Sequence, residues 1–204
     1  MPQPKQKPAP EPKPLGIFVI AEQFHWASVL AFRVPNDAAK GDEYLKRYAG
    51  GVPNMDSAVN ACAAFALELY LKCLIRIGKK GIPSGRNGHN LVVLFNTIAK
   101  RHQLGIRRYF DNNSDRVRTY LKEAFAPHNR AIPEPLFDYV LANSKDAFVK
   151  MRYAYEGHPP DTGWLAHDIE RGAREQILHM YPHWKNARQA SFLNVIVPPT
   201  YQVQ

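Results

Sequence analysis

The chain has 204 residues, 45% of them hydrophobic, which is enough for one solid core and too few for two large ones. Its 27 Lys and Arg exceed its 18 Asp and Glu, and the net charge of +9 favours association with phosphates and other acidic partners. The sequence contains no P-loop, no glycine-rich dinucleotide fingerprint and no G-x-S-x-G elbow. ATP-driven, nicotinamide and esterase chemistry are therefore not indicated.

The two cysteines, Cys62 and Cys73, lie on one predicted helix. Their separation of eleven residues corresponds to about 16 Å along a helix, so the two thiols cannot form a disulfide with each other. Free thiols in apolar surroundings favour a reducing compartment, and we expect a cytoplasmic protein. The most apolar stretch, AVNACAAFALELYLKCLI, is interrupted by Glu68 and Lys72, and the N-terminus lacks an apolar signal core. We therefore expect no transmembrane span.

Both ends of the chain are predicted to be tails around a single domain at 15–185. Residues 1–14, MPQPKQKPAPEPKP, are nearly half proline and carry three lysines, a composition that predicts a disordered, extended segment. A docking peptide for a proline-binding domain is the alternative interpretation of this segment. Residues 186–204, which end in VIVPPTYQVQ, are predicted to form the second tail or an edge segment.

The first half of the domain predicts three helices. The first covers 15–32 and is expected to end near Pro35, because the residue before a proline avoids the helical conformation. A short helix is expected around 42–49. The third helix is capped by Asn54 or Asp56 and ended by Gly78. Its apolar residues recur at helical spacing: Val59, Cys62, Ala63, Ala66, Leu67, Tyr70, Leu71 and Leu74.

The second half of the domain is also helical in pattern. Asn90 is a good N-cap for the segment 91–102. The residues that share one face of that segment are Leu91, Leu94, Phe95 and Ile98. Further amphipathic segments cover 106–126, 134–156 and 163–181, and no stretch alternates with the period of a strand. The sequence therefore predicts an all-α bundle of five or six helices.

Arg152 stands at the border of the apolar stripe on the predicted helix 134–156. The stripe consists of Phe137, Val140, Leu141, Ser144, Phe148, Met151 and Tyr155. An arginine at such a border can point into a cleft, with Tyr155 and Glu156 as supporting residues. A pair between Arg152 and Glu156 on the helix surface is an equally good interpretation, although its order of base before acid is the weaker one.

His158 follows Gly157, where the chain leaves the predicted helix before two prolines, so its imidazole can fold back toward Arg152. An arginine and a histidine together suit the cleavage of RNA without a metal. The histidine moves a proton at the 2′-hydroxyl or the leaving oxygen, and the arginine neutralises charge on the phosphate. A solvated loop histidine is the simpler interpretation, since this spacing is also common by chance.

Other polar residues have ordinary explanations beside functional ones. Glu68 and Lys72 have the favourable acid-then-base spacing of a solvated helix pair, and would help to hold Arg152 or a ligand phosphate if they faced the same cleft. His89 precedes a helix and is expected to help cap it. His179 and His183 are four residues apart, but Pro182 disturbs the turn between them, so no metal site is expected.

Three stretches together resemble the HEPN family, small helical proteins named for higher eukaryotes and prokaryotes nucleotide binding. They are AVNACAAFALELYLKCLI, then GHNLVVLF, then FVKMRYAYEGH, and they cover roughly residues 55–158. Many members are metal-independent endoribonucleases, often toxins or phage-defence effectors, with an arginine followed after four to six residues by a histidine. The resemblance implies that Arg152 and His158 are this pair. Tyr153 follows the arginine, where active members commonly carry Asn or Asp.

The resemblance also implies partners. HEPN proteins usually dimerise so that two copies of the motif face one RNA-sized cleft, and some members are noncatalytic modules beside a nucleotidyltransferase. Three hypotheses therefore stay open: a ribonuclease, a noncatalytic binder of nucleotides or nucleic acid, and a scaffold that acts with an antitoxin or nucleotidyltransferase partner. None of the three requires a cofactor or a membrane.

Overall fold

The structure, a computed structural model, describes residues 12–39, 56–147, 149 and 166–187. These residues form helices and connecting turns, and contain no strand, so the predicted all-α class is confirmed. The α-helices are α1 (Pro14–Ala39), α2 (Asp56–Ile77), α3 (Leu91–Thr97), α4 (Lys100–Asn113), α5 (Asp115–Phe125), α6 (Leu136–Asn143) and α7 (His167–Met180). The expected count of five or six is too low, because the described residues alone contain seven. The predicted helix at 42–49 lies outside the described residues.

Helix α1 begins at Pro14, where a missing backbone N–H costs nothing because the first N–H groups of a helix have no partner within it. The expected end near Pro35 is wrong, since α1 continues to Ala39. A proline inside a helix removes one backbone hydrogen bond and strains one turn, but it does not prevent the helix from continuing. The long packing of α1 along α2 is the most extensive helix contact in the described residues.

Helix α2 is the central helix, and its predicted extent is confirmed. It starts at Asp56 and ends at Ile77, directly before Gly78. The side chains that it buries completely include Ala64, Ala66, Leu67, Tyr70, Leu71, Leu74 and Ile75. These residues form the middle of one continuous hydrophobic core that receives side chains from α1, α3, α4, α6 and α7.

The end of α2 has a left-handed residue that is not glycine. Lys79 has a φ of 56°, its N–H donates to the carbonyl of Arg76, and the N–H of Lys80 donates to the carbonyl of Ile75. This pair of bonds is a Schellman motif, which usually places glycine at the left-handed position. Gly78 lies one residue too early to fill that position.

Two segments that were predicted as single helices are divided. The segment 91–102 is broken after Thr97, because Ile98 and Ala99 are extended at ψ 163° and 142°. Gln103 stabilises this break by donating to the carbonyls of Asn96 and Ile98. The segment 106–126 is likewise broken at Ser114, so α4 and α5 are separate helices.

The prediction of one long helix at 134–156 is also wrong over its first half. Helix α6 ends at Asn143, and the next residues form a turn in which Ser144 is buried. The carbonyl of Lys145 in this turn accepts a hydrogen bond of 2.9 Å from the N–H of Leu91, the first residue of α3. The apolar stripe is confirmed as buried through Ser144, and its continuation at Phe148, Met151 and Tyr155 lies outside the described residues.

A buried polar cluster connects α1, α2 and α7. Glu22 on α1 accepts hydrogen bonds from Tyr70 on α2 and from Arg174 on α7. One turn along α1, His25 pairs with Glu170 of α7 through Nδ1 at 2.8 Å. Polar groups that are buried in this way must find partners, so the cluster fixes the rotation of the three helices against each other.

Among the described residues, two stretches are long and apolar enough to cross a membrane, Pro14–Phe32 and Ala58–Ile77. The second is 61% buried inside the protein, and the first is 33% buried. Length and composition alone are weak evidence for a span, because the core helix of a soluble protein passes the same test. The expectation that no helix spans a membrane, and with it the cytoplasmic location, therefore stays a prediction.

Candidate nucleic-acid interface

The whole positive excess of the protein comes from one segment. Between Leu69 and Phe110, 42 residues contain nine Lys and Arg and no Asp or Glu. The rest of the chain contains 18 basic residues and 18 acidic residues, which balance. The net charge of +9 therefore belongs to the segment that forms the end of α2, α3, most of α4 and the turns between them.

The basic residues of this segment gather around α3. Nζ of Lys80, just after α2, donates to the carbonyl of Thr97 at the end of α3 at 2.7 Å. At the other end of α3, His89 lies against Glu68 of α2. Helix α3 therefore runs beside α2 in the same direction, with Lys80 near its end.

Four exposed cations form what we call the basic surface: Lys79, Lys80, Arg86 and Lys100. Lys79 and Lys80 follow α2, Lys100 begins α4, and Arg86 lies in the 3₁₀ turn before α3. Within the described part of the chain, none of the four forms an ion pair with an acidic side chain. Their charges are therefore available to an anion from solvent.

His102 near the start of α4 does not add to this charge. It is buried, and its pKa is lowered by that burial and by the neighbouring charge of Arg101. A histidine with a lowered pKa is neutral at neutral pH. The positive character of the region at pH 7 therefore comes from its lysines and arginines.

A second feature of this region is the carboxylate of Glu68 on α2, which lies near the start of α3. Its side chain is fully buried, yet it is contacted by Lys72 at 2.6 Å and by Nδ1 of His89 at 3.1 and 3.2 Å. The predicted pairing of Glu68 with Lys72 is confirmed, but the expected solvated character is wrong, because this carboxylate lies inside the protein. The side chain of His89 is 50% exposed, so one side of the imidazole faces the carboxylate and much of the remainder meets solvent.

His89 was expected to help cap α3, but its side chain contacts Glu68 instead. The predicted cap, Asn90, is confirmed, since its side-chain oxygen accepts from the N–H groups of Val92 and Val93. His89 is therefore free to bind Glu68, which lies 21 residues earlier in the chain. Periodicity along one helix cannot reveal such a contact.

The predicted catalytic pair and two of its four predicted supports lie elsewhere in the chain. Arg152, Tyr155, Glu156 and His158 are outside the described residues.

The two histidines near the end of α7 lie in different elements. His179 lies in the last turn of α7, Pro182 begins a 3₁₀ turn, and His183 belongs to that turn. Among the described residues, no group of three His, Cys, Asp or Glu side chains is arranged to hold a metal ion.

Comparisons with models of known protein families, with curated proteins and with solved structures find no match to this chain.

Proposed function

We propose that this protein binds single-stranded RNA through the basic surface around α3. The observation that carries the proposal is the location of the entire charge excess in residues 69–110, with Lys79, Lys80, Arg86 and Lys100 exposed and free of acidic partners in the described structure. Phosphate contacts by lysine and arginine supply most of the affinity of such interfaces.

The arrangement of the cations also suits a polyanion. Helix α3 has seven residues and is about 10 Å long, and the basic surface has Arg86 before its start and Lys80 at its end. Cations at both ends of one short helix can contact separate phosphates of one strand. A small ligand with a single carboxylate needs only one of these groups.

Salt dependence tests the proposal. Binding of a labelled single-stranded RNA is measured over a range of salt concentrations for the wild type and for the triple variant Lys79→Gln, Lys80→Gln, Arg86→Gln. We expect the variant to bind more weakly and its slope of log affinity against log salt to fall by about 2, because each contact with a single strand contributes about 0.7.

A matched variant removes three exposed cations outside the segment: Arg116→Gln, Lys122→Gln and Lys185→Gln. It has the same net charge as the test variant, so general attraction to RNA falls equally in both. Equal slopes and affinities for the two variants would contradict a specific role of the basic surface. Absence of RNA binding by the wild type at low salt would contradict the proposal as a whole.

Metal-independent cleavage of the bound RNA is the second candidate, as the HEPN resemblance implies. The observation that favours it is the hydrogen bond between Leu91 and Lys145, which attaches the chain leading to Arg152 to the start of α3. In this mechanism Arg152 neutralises charge that develops on the phosphate, and His158 transfers a proton.

Cleavage is tested in EDTA with the RNA that binds best. The expected products carry 2′,3′-cyclic phosphate and 5′-hydroxyl ends, and His158→Ala is expected to abolish them. His128→Ala changes an exposed histidine on the described surface and is the control. Intact RNA after incubation with the folded wild type would leave binding as the activity and reject cleavage.

The proposed active form is a homodimer in which two copies of the motif share one cleft. Light scattering at micromolar concentration measures this directly, and a monomer would contradict the shared cleft. A noncatalytic module that acts with a nucleotidyltransferase or an antitoxin is the remaining proposal, and it predicts RNA binding without cleavage.

A further inference from the structure

Contacts with phosphates do not distinguish a single strand of RNA from a duplex, because both carry a charged backbone. A protein that prefers unpaired RNA also needs a group against which an exposed base can lie. The four cations of the basic surface supply charge alone. A contact with a base therefore requires an apolar or planar side chain beside them.

Leu104 on α4 is such a side chain. It is 63% exposed and is the most exposed large hydrophobic residue in the described part of the chain. It lies four residues after Lys100, the member of the basic surface that begins α4, so the two residues are neighbours on the helix surface. Single exposed leucines are common on proteins, and the neighbours of Leu104 are what distinguish it.

Two arginines flank Leu104. Arg101 lies three residues before it and Arg108 four residues after it, so the three residues share one side of α4 at successive turns. We call them the α4 face. Both arginines are exposed, and neither forms an ion pair with an acidic side chain of the described residues. Arg107 differs from them, because it donates to Asp138 at 2.6 Å.

The guanidinium of Arg101 is oriented by a neutral partner. Its Nε donates to Nε2 of His102 at 3.3 Å. An imidazole that accepts at Nε2 is uncharged, which agrees with the lowered pKa of the buried His102. The bond therefore leaves the charge of Arg101 uncancelled, and it uses Nε alone, so the terminal nitrogens Nη1 and Nη2 remain for a ligand.

The α4 face continues the basic surface. Nζ of Lys80 donates to the carbonyl of Thr97, three residues before Lys100. Gln103 of α4 donates to the carbonyl of Ile98, which fixes the end of α3 against the start of α4. One strand of RNA can therefore pass from the end of α2 to α4 along positively charged protein. Asp111, the first acidic residue after the segment 69–110, follows the α4 face and marks its end.

We propose that the α4 face binds an unpaired base and that Leu104 makes this surface selective for single-stranded RNA over duplex RNA. This inference rests on the proposed RNA binding. Leu104 packs against the face of one base, and the two arginines, about 10 Å apart along the helix, contact phosphates on both sides of it. In a duplex the faces of the bases are stacked on their neighbours, so a duplex meets only the cations.

The main experiment measures equilibrium binding of a single strand without self-complementarity, and of the duplex that it forms with its complement. The proteins are full-length wild type, Leu104→Ala and the control Leu30→Ala, which changes a leucine that is 59% exposed on α1. We expect Leu104→Ala to bind the single strand about fivefold more weakly, the low end of what one stacked base contributes. Its affinity for the duplex and its salt slopes should stay at wild-type values, because no charge is removed. Leu30→Ala should bind both RNAs as wild type does.

The two arginines are tested by the double variant Arg101→Gln, Arg108→Gln. We expect its slope of log affinity for the single strand against log salt to fall by about 1.4, since each phosphate contact contributes about 0.7. The matched double variant Arg116→Gln, Lys122→Gln removes the same charge from other exposed positions. Equal slopes for the two double variants would overturn the role of the arginines.

The variant Leu104→Trp reports the contact directly. An indole at this exposed position is expected to stack on the base and to bind the single strand about fivefold more tightly than leucine does. Its emission, read as the difference from wild type with its three native tryptophans, should be quenched at saturation by the single strand and not by the duplex. Equal quenching by both RNAs would overturn the contact with an unpaired base.

The possible failures are distinguishable. An unchanged ratio of the two affinities in Leu104→Ala would overturn this inference and leave RNA binding by the basic surface intact. An equal loss of affinity for both RNAs would also overturn it, because Leu104 would then contact a feature that the two share. Wild-type protein that binds neither RNA at low salt rejects the proposed function itself.

Discussion

The guanidinium of Arg174 donates to both carboxylate oxygens of Glu22, from Nε at 2.7 Å and from Nη2 at 3.0 Å. Glu22 is 1% exposed and also accepts a hydrogen bond from Tyr70. Burial alone raises the pKa of Glu22, but the bonds from Arg174 and Tyr70 outweigh burial, and the pKa is lowered overall. This contact joins α1 to α7 across 152 residues of chain.

Arg174→Leu is expected to destabilise the protein by about 3–5 kcal/mol, because it leaves the charge of Glu22 buried without its partner. Arg118→Leu is the control, since Arg118 makes an exposed pair with Glu134, and exposed ion pairs add little to the free energy of unfolding. Urea unfolding followed by circular dichroism measures both. Equal losses for the two variants would show that the Glu22 contact is no stronger than a surface pair.

The sequence predicted what depends on neighbours along one helix. The limits of α2 followed from the spacing of its apolar residues and from Gly78, and the cap at Asn90 followed from its side chain. The break at Ser114 carries no glycine or proline, so the local pattern continued through it. Tertiary packing overrides local propensity at such points.

The polar contacts were harder to predict for a related reason. Glu22 and Arg174 are 152 residues apart, and Glu68 and His89 are 21 apart, so no helical period relates the members of either pair. Glu68 was recognised only together with Lys72, four residues away. Whether that pair is solvated or buried depends on how the helices pack together, and the spacing along one helix does not reveal it.

Acidification is expected to destabilise the protein through His167. Burial, followed by the charges of Arg171, Arg116 and His25, lowers the pKa of His167 to about 4 from an ordinary 6.5. The unfolded chain therefore binds more protons between pH 6.5 and pH 4, and stability is lost as the pH falls through that window. The loss between pH 7 and pH 5 is about 2 kcal/mol from this residue.

The variant His167→Gln is expected to lose less stability than the wild type between pH 7 and pH 5, as measured by urea unfolding at each pH. Glu22 contributes mainly below this range, because its lowered pKa lies under the ordinary 4.5. His128→Gln, at an exposed position, is the control for the substitution and keeps the wild-type loss. An equal pH dependence in His167→Gln and wild type would contradict the assignment to His167.

The left-handed residue at the end of α2 offers a stabilising substitution. Lys79 has a φ of 56°, where a residue with a Cβ is about 1 kcal/mol less favourable than glycine. Lys79→Gly is therefore expected to be more stable than Lys79→Ala by about 1 kcal/mol in thermal or urea unfolding. Both variants lose the same charge, so they should lose RNA affinity equally while differing in stability. If Lys79→Gly were the less stable of the two, the Schellman geometry of this turn would be wrong.

Thiol reactivity provides a test of the contact between the start of α1 and α2. Cys73 on α2 has no exposed surface, its Sγ donates to the carbonyl of Pro14 at 3.3 Å, and burial raises its pKa to about 12. Burial also raises the pKa of Cys62, which is only partly buried. Only about one Cys73 thiol in ten thousand is ionised at pH 8 even when a reagent reaches it, and the thiolate is the reactive form.

Two single variants allow each thiol to be followed alone with Ellman's reagent. The thiol of Cys73, read in Cys62→Ser, is expected to stay unmodified in native buffer and to react fully in urea above the unfolding midpoint. The thiol of Cys62, read in Cys73→Ala, should react measurably in native buffer, though more slowly than free cysteine. Because Cys73 lies under the first turn of α1, its modification requires α1 to separate from α2. Reaction of Cys73 in native buffer at the rate of Cys62 would mean that this contact between α1 and α2 opens readily and that the start of α1 is not held against the core.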